Sequence, residues 1–260
     1  MTARGYTKLL RSRGVPRLAG AFLALGIANT MTPVSFVLFA REATHSFASA
    51  SLVLAASIAG GLLFGPARGR LVDRLGPRSA VLLLVIPDVA TDIAFIAGGH
   101  ARIGAGVLVA LAFIAGAVSA PAGAALRSVW SESLAESDSR QAGFALMAMM
   151  QETNFIAGPL IAGAAIALWS ATAAVAIAAA LSFIGAIAFA TAQEARTPKS
   201  RPENAGRLPA LAGAGIRTVV LTSALFGLTF GILDVAFPGL RARPRIRGHS
   251  RDSALGVCGR

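Results

Sequence analysis

Long uninterrupted apolar stretches, divided by short polar connectors, make up most of this chain. A transmembrane helix needs about 20 mostly apolar residues to cross about 30 Å of hydrocarbon. Seven segments reach that length: 18–40, 48–66, 79–99, 103–126, 142–168, 170–192 and 218–240. Apolar and polar positions do not alternate within them, so the pattern predicts helices rather than barrel strands. The third segment is interrupted by Asp88 and Asp92. Small residues crowd the segments, as in Gly60-Gly61 and the Ala-rich sixth. In lipid no hydrophobic force presses helices together, and small side chains let backbones approach closely. Arg4, Lys8, Arg11, Arg13 and Arg17 precede the first segment as in a signal peptide. Its apolar run is too long for a secretory one and another span follows at once, so it reads as an uncleaved first helix.

Composition sharpens this picture. Hydrophobic residues make up 55% of the chain and charged ones 14%, whereas about a quarter of a soluble domain is charged. The mean hydropathy is +0.68, and the bilayer is the expected solvent. A net charge of +12 could suggest nucleic acid, but the basic residues sit in connectors between apolar stretches, so none is expected as a partner. Cys258 is alone and excludes an internal disulfide; the three histidines lack metal-ligand spacing, and neither metal nor cofactor is expected.

Orientation follows from Lys and Arg placement. With the N-terminus inside, the inner connectors through six spans hold sixteen basic residues; the outer ones hold only Arg41 and Arg102. The expected organisation is a basic cytoplasmic N-terminus (1–17), a six-helix transmembrane bundle (18–192), a cytoplasmic linker (193–217), a seventh helix (218–240) and an Arg-rich tail (241–260). The fold class is an all-α integral membrane protein, multi-pass in the cell membrane.

Between spans two and three runs Gly69-Arg-Leu-Val-Asp-Arg-Leu-Gly-Pro-Arg78. It resembles the loop signature of the major facilitator superfamily, G-x-L-a-D-r-x-G-r-k. Gly69, Leu71, Asp73, Arg74, Gly76 and Arg78 fall on the pattern, and Pro77 replaces a basic residue. Glycines at both ends permit a tight turn, while Asp73 can accept charge-assisted hydrogen bonds and the arginines can donate them. The resemblance implies a conformational latch between two states of a transporter. In the fifth span, Asn154-Phe-Ile-Ala-Gly-Pro-Leu-Ile-Ala-Gly163 is similar to the family's antiporter signature, g-x-x-x-G-P-x-x-G-G. Gly158, Pro159 and Gly163 match; Asn154 and Ala162 replace glycines. Proline there bends the helix and glycines allow packing around the bend. A generic kinked membrane helix would read the same way. The family's arginine inside the fourth span has no counterpart, since Arg127 lies at that span's cytoplasmic end.

Ionisable groups inside spans are costly and mark functional positions. Asp88, Asp92, Glu152 and Asp234 qualify, and no Lys or Arg lies inside any expected span to neutralise them. Each must carry a proton, reach water or a polar partner, or meet a cation. Asp88 and Asp92, four residues apart, share a helix face; they could share a proton or face a wet crevice. Around Pro33, Asn29, Thr30, Thr32 and Ser35 could touch substrate or bond neighbouring helices. The candidate substrate or proton residues are therefore Asn29, Thr32, Asp88, Asp92 and Glu152.

The expected function is secondary transport of a small solute by alternating access, as efflux coupled to protons. The expected partners are the bilayer and that solute. A truncated, non-transporting fragment is a second reading. An intramembrane enzyme is a remote third, because no G-x-S-x-G-type nucleophile or paired aspartate signature is present. The family builds twelve spans, so seven followed by six arginines in 241–260 suggest a premature end or frameshift near 237–241. Hydrophobic spans in another reading frame of the gene beyond Pro238 are the expected trace of such an event.

Overall fold

The computed structural model describes residues 14–134 and 137–192, together with Thr218, Leu221, Thr222 and Leu225. The linker, the tail, Asp234 and, apart from those four helical positions, the seventh expected span lie outside the described residues. The chain divides into two compact units, Met1–Ser200 and Arg201–Arg260, and the architecture below is that of the first.

Seven helices are described: α1 Val15–Thr44, α2 Phe47–Leu75, α3 Pro77–His100, α4 Ala105–Val118, α5 Ala122–Ser133, α6 Ser137–Leu168 and α7 Ala171–Thr191. Local chemistry sets their ends. Pro16 and Pro77 open α1 and α3, where a missing N–H costs nothing. Ser46 and Ser170 cap α2 and α7, their hydroxyls accepting from the N–H groups of Ser49 (3.2 Å) and Ala173 (3.1 Å). Among the described residues, five stretches are long and apolar enough to cross a membrane: α1, α2, α3, the joined Ala105–Glu132 and α7. The fifth expected span falls on α6, which carries Gln151, Glu152, Thr153 and Asn154 at its middle and is not among the five.

Two expectations are corrected. The fourth span is not one helix, because α4 stops at Val118 and α5 starts at Ala122, with Ser119, Ala120 and Pro121 between them. Pro121 has no N–H for an intrahelical bond, and the ladder breaks there. The signature stretch is not a loop either. Gly69, Leu71, Asp73 and Arg74 are helical and belong to the last two turns of α2, and Pro77 and Arg78 already start α3. The connection is Gly76 alone, at φ +82°, a conformation that glycine adopts without strain.

Taking α4 and α5 as one span, the packing pattern has an internal symmetry. Spans one and five pack together, as do four and two; spans one and six pair, as do four and three. Exchanging the first three spans with the last three maps these contacts onto each other, and only that of α1 with α3 lacks a counterpart. Two three-helix repeats give this pattern. The two crossings it relates are both tight. On α2 and α4, a Cβ added to Gly60 would overlap the Phe113 carbonyl, and one added to Gly116 would overlap the Ser57 carbonyl. On α1 and α6, Gly26 lies against the Asn154 amide and Gly158 against Thr30, whose hydroxyl donates to the Asn154 carbonyl (2.8 Å). Asn154 thus fills, with a side chain, space left by a glycine on the facing helix.

Gly26→Ala is therefore expected to lower the melting temperature of the detergent-purified protein, by overpacking worth about 1–3 kcal/mol. Adding Asn154→Gly should restore part of it. Additive losses in the double variant would show that the two residues do not share this space.

Two apolar clusters close the ends of the bundle. One, at the Gly76 end, gathers Leu18, Phe22, Val81, Leu126, Trp130 and Phe189; the other gathers Phe36, Phe39, Val53, Phe95, Leu108 and Val175. Phe36 and Phe95 stack there with ring centroids 4.0 Å apart. Large apolar side chains cover the outside as well, among them Ile156, 65% exposed, and Ile86, 68% exposed. Such a surface suits lipid and would associate in water.

Candidate functional site

Between the two apolar clusters lies a half-open cavity of about 530 Å³. Its walls are largely apolar, with Leu25, Pro33, Ile58, Leu62 and Phe155, and its polar groups are Asn29, Thr32, Ser57, Arg68, Asp88, Ser119 and Ser182. Each of the first six spans contributes. An apolar chamber with a few convergent polar groups is the usual form of a small-molecule site.

Asp88 directly follows Pro87 on α3 and is buried. Its Oδ2 accepts from the Ser182 hydroxyl of α7 at 2.9 Å. Asp92, one turn further along α3, is also buried; it lies on the same face but does not line the cavity, and its Oδ1 has no hydrogen-bond partner. The expectation that this pair sits together on one helix face holds, and the cavity receives only Asp88 of the two.

A cation stands among these groups, contrary to the expectation of spans without one. Because α2 continues to Leu75, Arg68 is part of the helix, half-buried, and it lines the cavity. Its Nη1 donates to the Ser119 carbonyl (2.8 Å) and to the Ser119 hydroxyl, and its Nη2 donates to the Gly61 carbonyl (2.8 Å). Ser119 lies in the break of the fourth span, so the guanidinium supplies a donor where the helix ladder has none. Irregular backbone at membrane depth persists only where it is buried or lines a cavity, and Ser119 does line it. Hydrogen bonds from a charged donor are worth about 1.5–3 kcal/mol each. Arg68 and Asp88 line the same cavity. The sequence carried a signal for this placement, since Ser57, Gly61 and Arg68 are spaced by four and seven residues and so share one helix face.

The other candidates separate. Asn29 and Thr32 line the cavity, and the Thr32 hydroxyl donates back to the Ala28 carbonyl at 2.9 Å. Ser35 is buried and bonds the Met31 carbonyl at 2.9 Å. Glu152 is exposed on α6 and does not line the cavity; its neighbour Phe155 does. Pro159 interrupts the α6 ladder, Gly158 packs tightly, and a Cβ on Gly163 would meet nothing within 4 Å. Of the signature residues, Asp73 and Arg74 are exposed near the end of α2 and Arg78 is half-buried in the first turn of α3.

A second, smaller cavity of about 210 Å³ lies towards the Gly76 end, lined by Phe22, Gly26, Gly65, Gly69, Pro121, Gly123 and Gln151 among others.

Comparison with known families adds one match: the family model described as Major Facilitator Superfamily aligns with residues 18–256. The match runs past Pro238 into the Arg-rich tail, further than the quoted motifs extend. No curated protein and no solved structure matches the chain.

Proposed function

The chain belongs to the major facilitator superfamily and is a multi-pass membrane transporter, and we propose that it moves a small solute by alternating access, as efflux from the cell coupled to protons. The observation that carries this reading is Asp88, a carboxyl buried at membrane depth on the wall of a chamber large enough for a small solute. A carboxyl there binds a proton or a cationic group and releases it when the surroundings change. Asn29 and Thr32 offer the solute hydrogen bonds from α1, while Leu25, Ile58, Leu62 and Phe155 offer apolar contact.

The stretch from Gly69 to Arg78 acts as the latch. Helical up to Leu75 and turning at Gly76, it gives α2 and α3 a stiff joint on which Asp73, Arg74 and Arg78 present charge to a moving partner. The orientation we propose has this joint and the N-terminus in the cytoplasm of a cell bounded by its plasma membrane. The substrate belongs to the small, partly apolar solutes.

The test is solute uptake by everted vesicles or liposomes containing the full chain, with and without an imposed pH gradient. Accumulation of an amphipathic solute that collapses with the gradient is the expected result, and Asp73→Asn should slow it without reducing insertion. Single cysteines at Ser79 and Ala101, after replacement of Cys258, should label from opposite faces. Movement that ignores the gradient would remove proton coupling, and labelling from one face would remove the topology.

A further inference from the structure

The chamber holds one acid and one base. Among the described residues that line it, Asp88 on α3 is the only carboxylate and Arg68 on α2 the only cation. They do not bond each other. Arg68 donates to the Ser119 carbonyl and hydroxyl and to the Gly61 carbonyl, while Asp88 accepts from the Ser182 hydroxyl. All of these neighbours are uncharged, so they orient the two groups and neutralise neither. Both groups also keep bonding capacity. A guanidinium carries more N–H donors than the three bonds used here, and Nε is without a partner. Of the two Asp88 oxygens, only Oδ2 accepts a bond among the described residues. The rest of the wall is mainly apolar, and Ile58, Leu62 and Phe155 are exposed where the cleft is open.

We infer that the chamber takes a zwitterionic solute with an apolar body: its anionic group meets Arg68, its cationic group meets Asp88, and its apolar part lies against Leu25, Ile58, Leu62 and Phe155. The inference rests on the carrier reading above and names the class of solute that this site admits. A solute entering the cleft displaces water from both charges. One that carries a single charge satisfies one wall and leaves the opposite charge on the other wall desolvated and unpaired, which is the costly arrangement. A zwitterion answers both charges and brings no net charge to membrane depth. Since Arg68 and Asp88 do not bond each other, the two charges of the solute are separated by a short chain, as in a γ-amino acid. A planar guanidinium can hold its protein acceptors and a carboxylate in fixed directions at once, which an ammonium cannot do. The bracing of Ser119 thus also fixes where the anionic group binds.

The experiment measures equilibrium binding of three matched probes to the full chain in detergent. They are a phenyl-bearing γ-amino acid, its methyl ester, which is a cation only, and its N-acetyl derivative, which is an anion only. The zwitterion should bind roughly tenfold more tightly than either derivative, the equivalent of one charge-assisted bond. Arg68→Met should bring the zwitterion down to the affinity of the ester and leave the ester where it was. Asp88→Asn should bring it down to the affinity of the N-acetyl derivative and leave that one where it was. Equal affinities for the three probes in the parent protein overturn the inference, as does a preference for a singly charged one. An equal loss of all three in Arg68→Met also overturns it, because the arginine then only braces Ser119. Should Arg68→Met not accumulate in the membrane, Arg68→Lys takes its place: lysine keeps the charge, so the ester should remain the weaker ligand, and equal binding of the two decides against. Binding needs no transport. A chain that ranks the probes as expected and moves none of them fails the carrier reading alone, whereas gradient-driven uptake of zwitterion and ester at one rate fails this inference alone.

Discussion

Asp88→Asn is expected to abolish solute accumulation driven by a pH gradient, by roughly tenfold or more, while exchange of solute down its own gradient persists. The substitution keeps the shape of the side chain, and the amide oxygen can still accept from the Ser182 hydroxyl that now lies 2.9 Å from Oδ2. What it removes is the ability to carry a proton or hold a cation. Among the described residues no other acidic side chain lines the 530 Å³ chamber, so nothing nearby can replace it. Asp92→Asn should have a smaller effect, because Asp92 is buried outside the chamber and reaches the solute only through its neighbour. Glu152→Gln should have the least, since Glu152 is exposed and does not touch the chamber. The measurement is initial uptake rate with and without the gradient for the three variants. Gradient-driven accumulation at the parental rate in Asp88→Asn would reject Asp88 as the coupling group.

Gly116→Ala is expected to prevent normal folding. Its Cβ would overlap the Ser57 carbonyl oxygen and lie 3.0 Å from the Gly61 N. Both are backbone atoms of α2, so no side chain can step aside and the two helices must part. Gly60 meets the Phe113 carbonyl in the reciprocal way, and the seam loosens from both sides. Overpacking typically costs about 1–3 kcal/mol and more where only backbone can yield; a marginally stable domain holds about 5–15 kcal/mol in all. The displaced seam also carries Ser119, so the Arg68 contact should be lost with it. Gly163→Ala is the control. Its Cβ would meet nothing within 4 Å, and alanine in place of glycine favours a helix by about 1 kcal/mol. Thermal unfolding in detergent should show a large fall for Gly116→Ala and no fall for Gly163→Ala. Equal melting temperatures would mean that the α2–α4 seam is looser than its backbone distances imply.

Much of this was legible in the order of residues alone. Continuous apolar runs determined the helices, because the bilayer leaves the backbone no other way to satisfy its own hydrogen bonds. The spacing of Gly69, Asp73, Arg74 and Gly76 pointed to the family, and the family model agrees over residues 18–256. Asp88 and Asp92 were legible as a pair because four residues make about one helical turn. Tertiary structure alone decided which of them meets the chamber: that depends on how α3 is rotated against α7, where Ser182 reaches Asp88. It likewise decided that Arg68 is an interior group. Hydropathy counted it as the start of a cytoplasmic loop, since a charge ends an apolar run, but a long side chain can lie inside a bundle when neighbouring carbonyls take its protons. Those carbonyls come from Gly61 on its own helix and from Ser119, fifty-one residues away. Ser119 is free to serve only because Pro121 breaks the fourth span. A local rule sees the proline and a local rule sees the arginine; only packing brings the donor to the broken ladder.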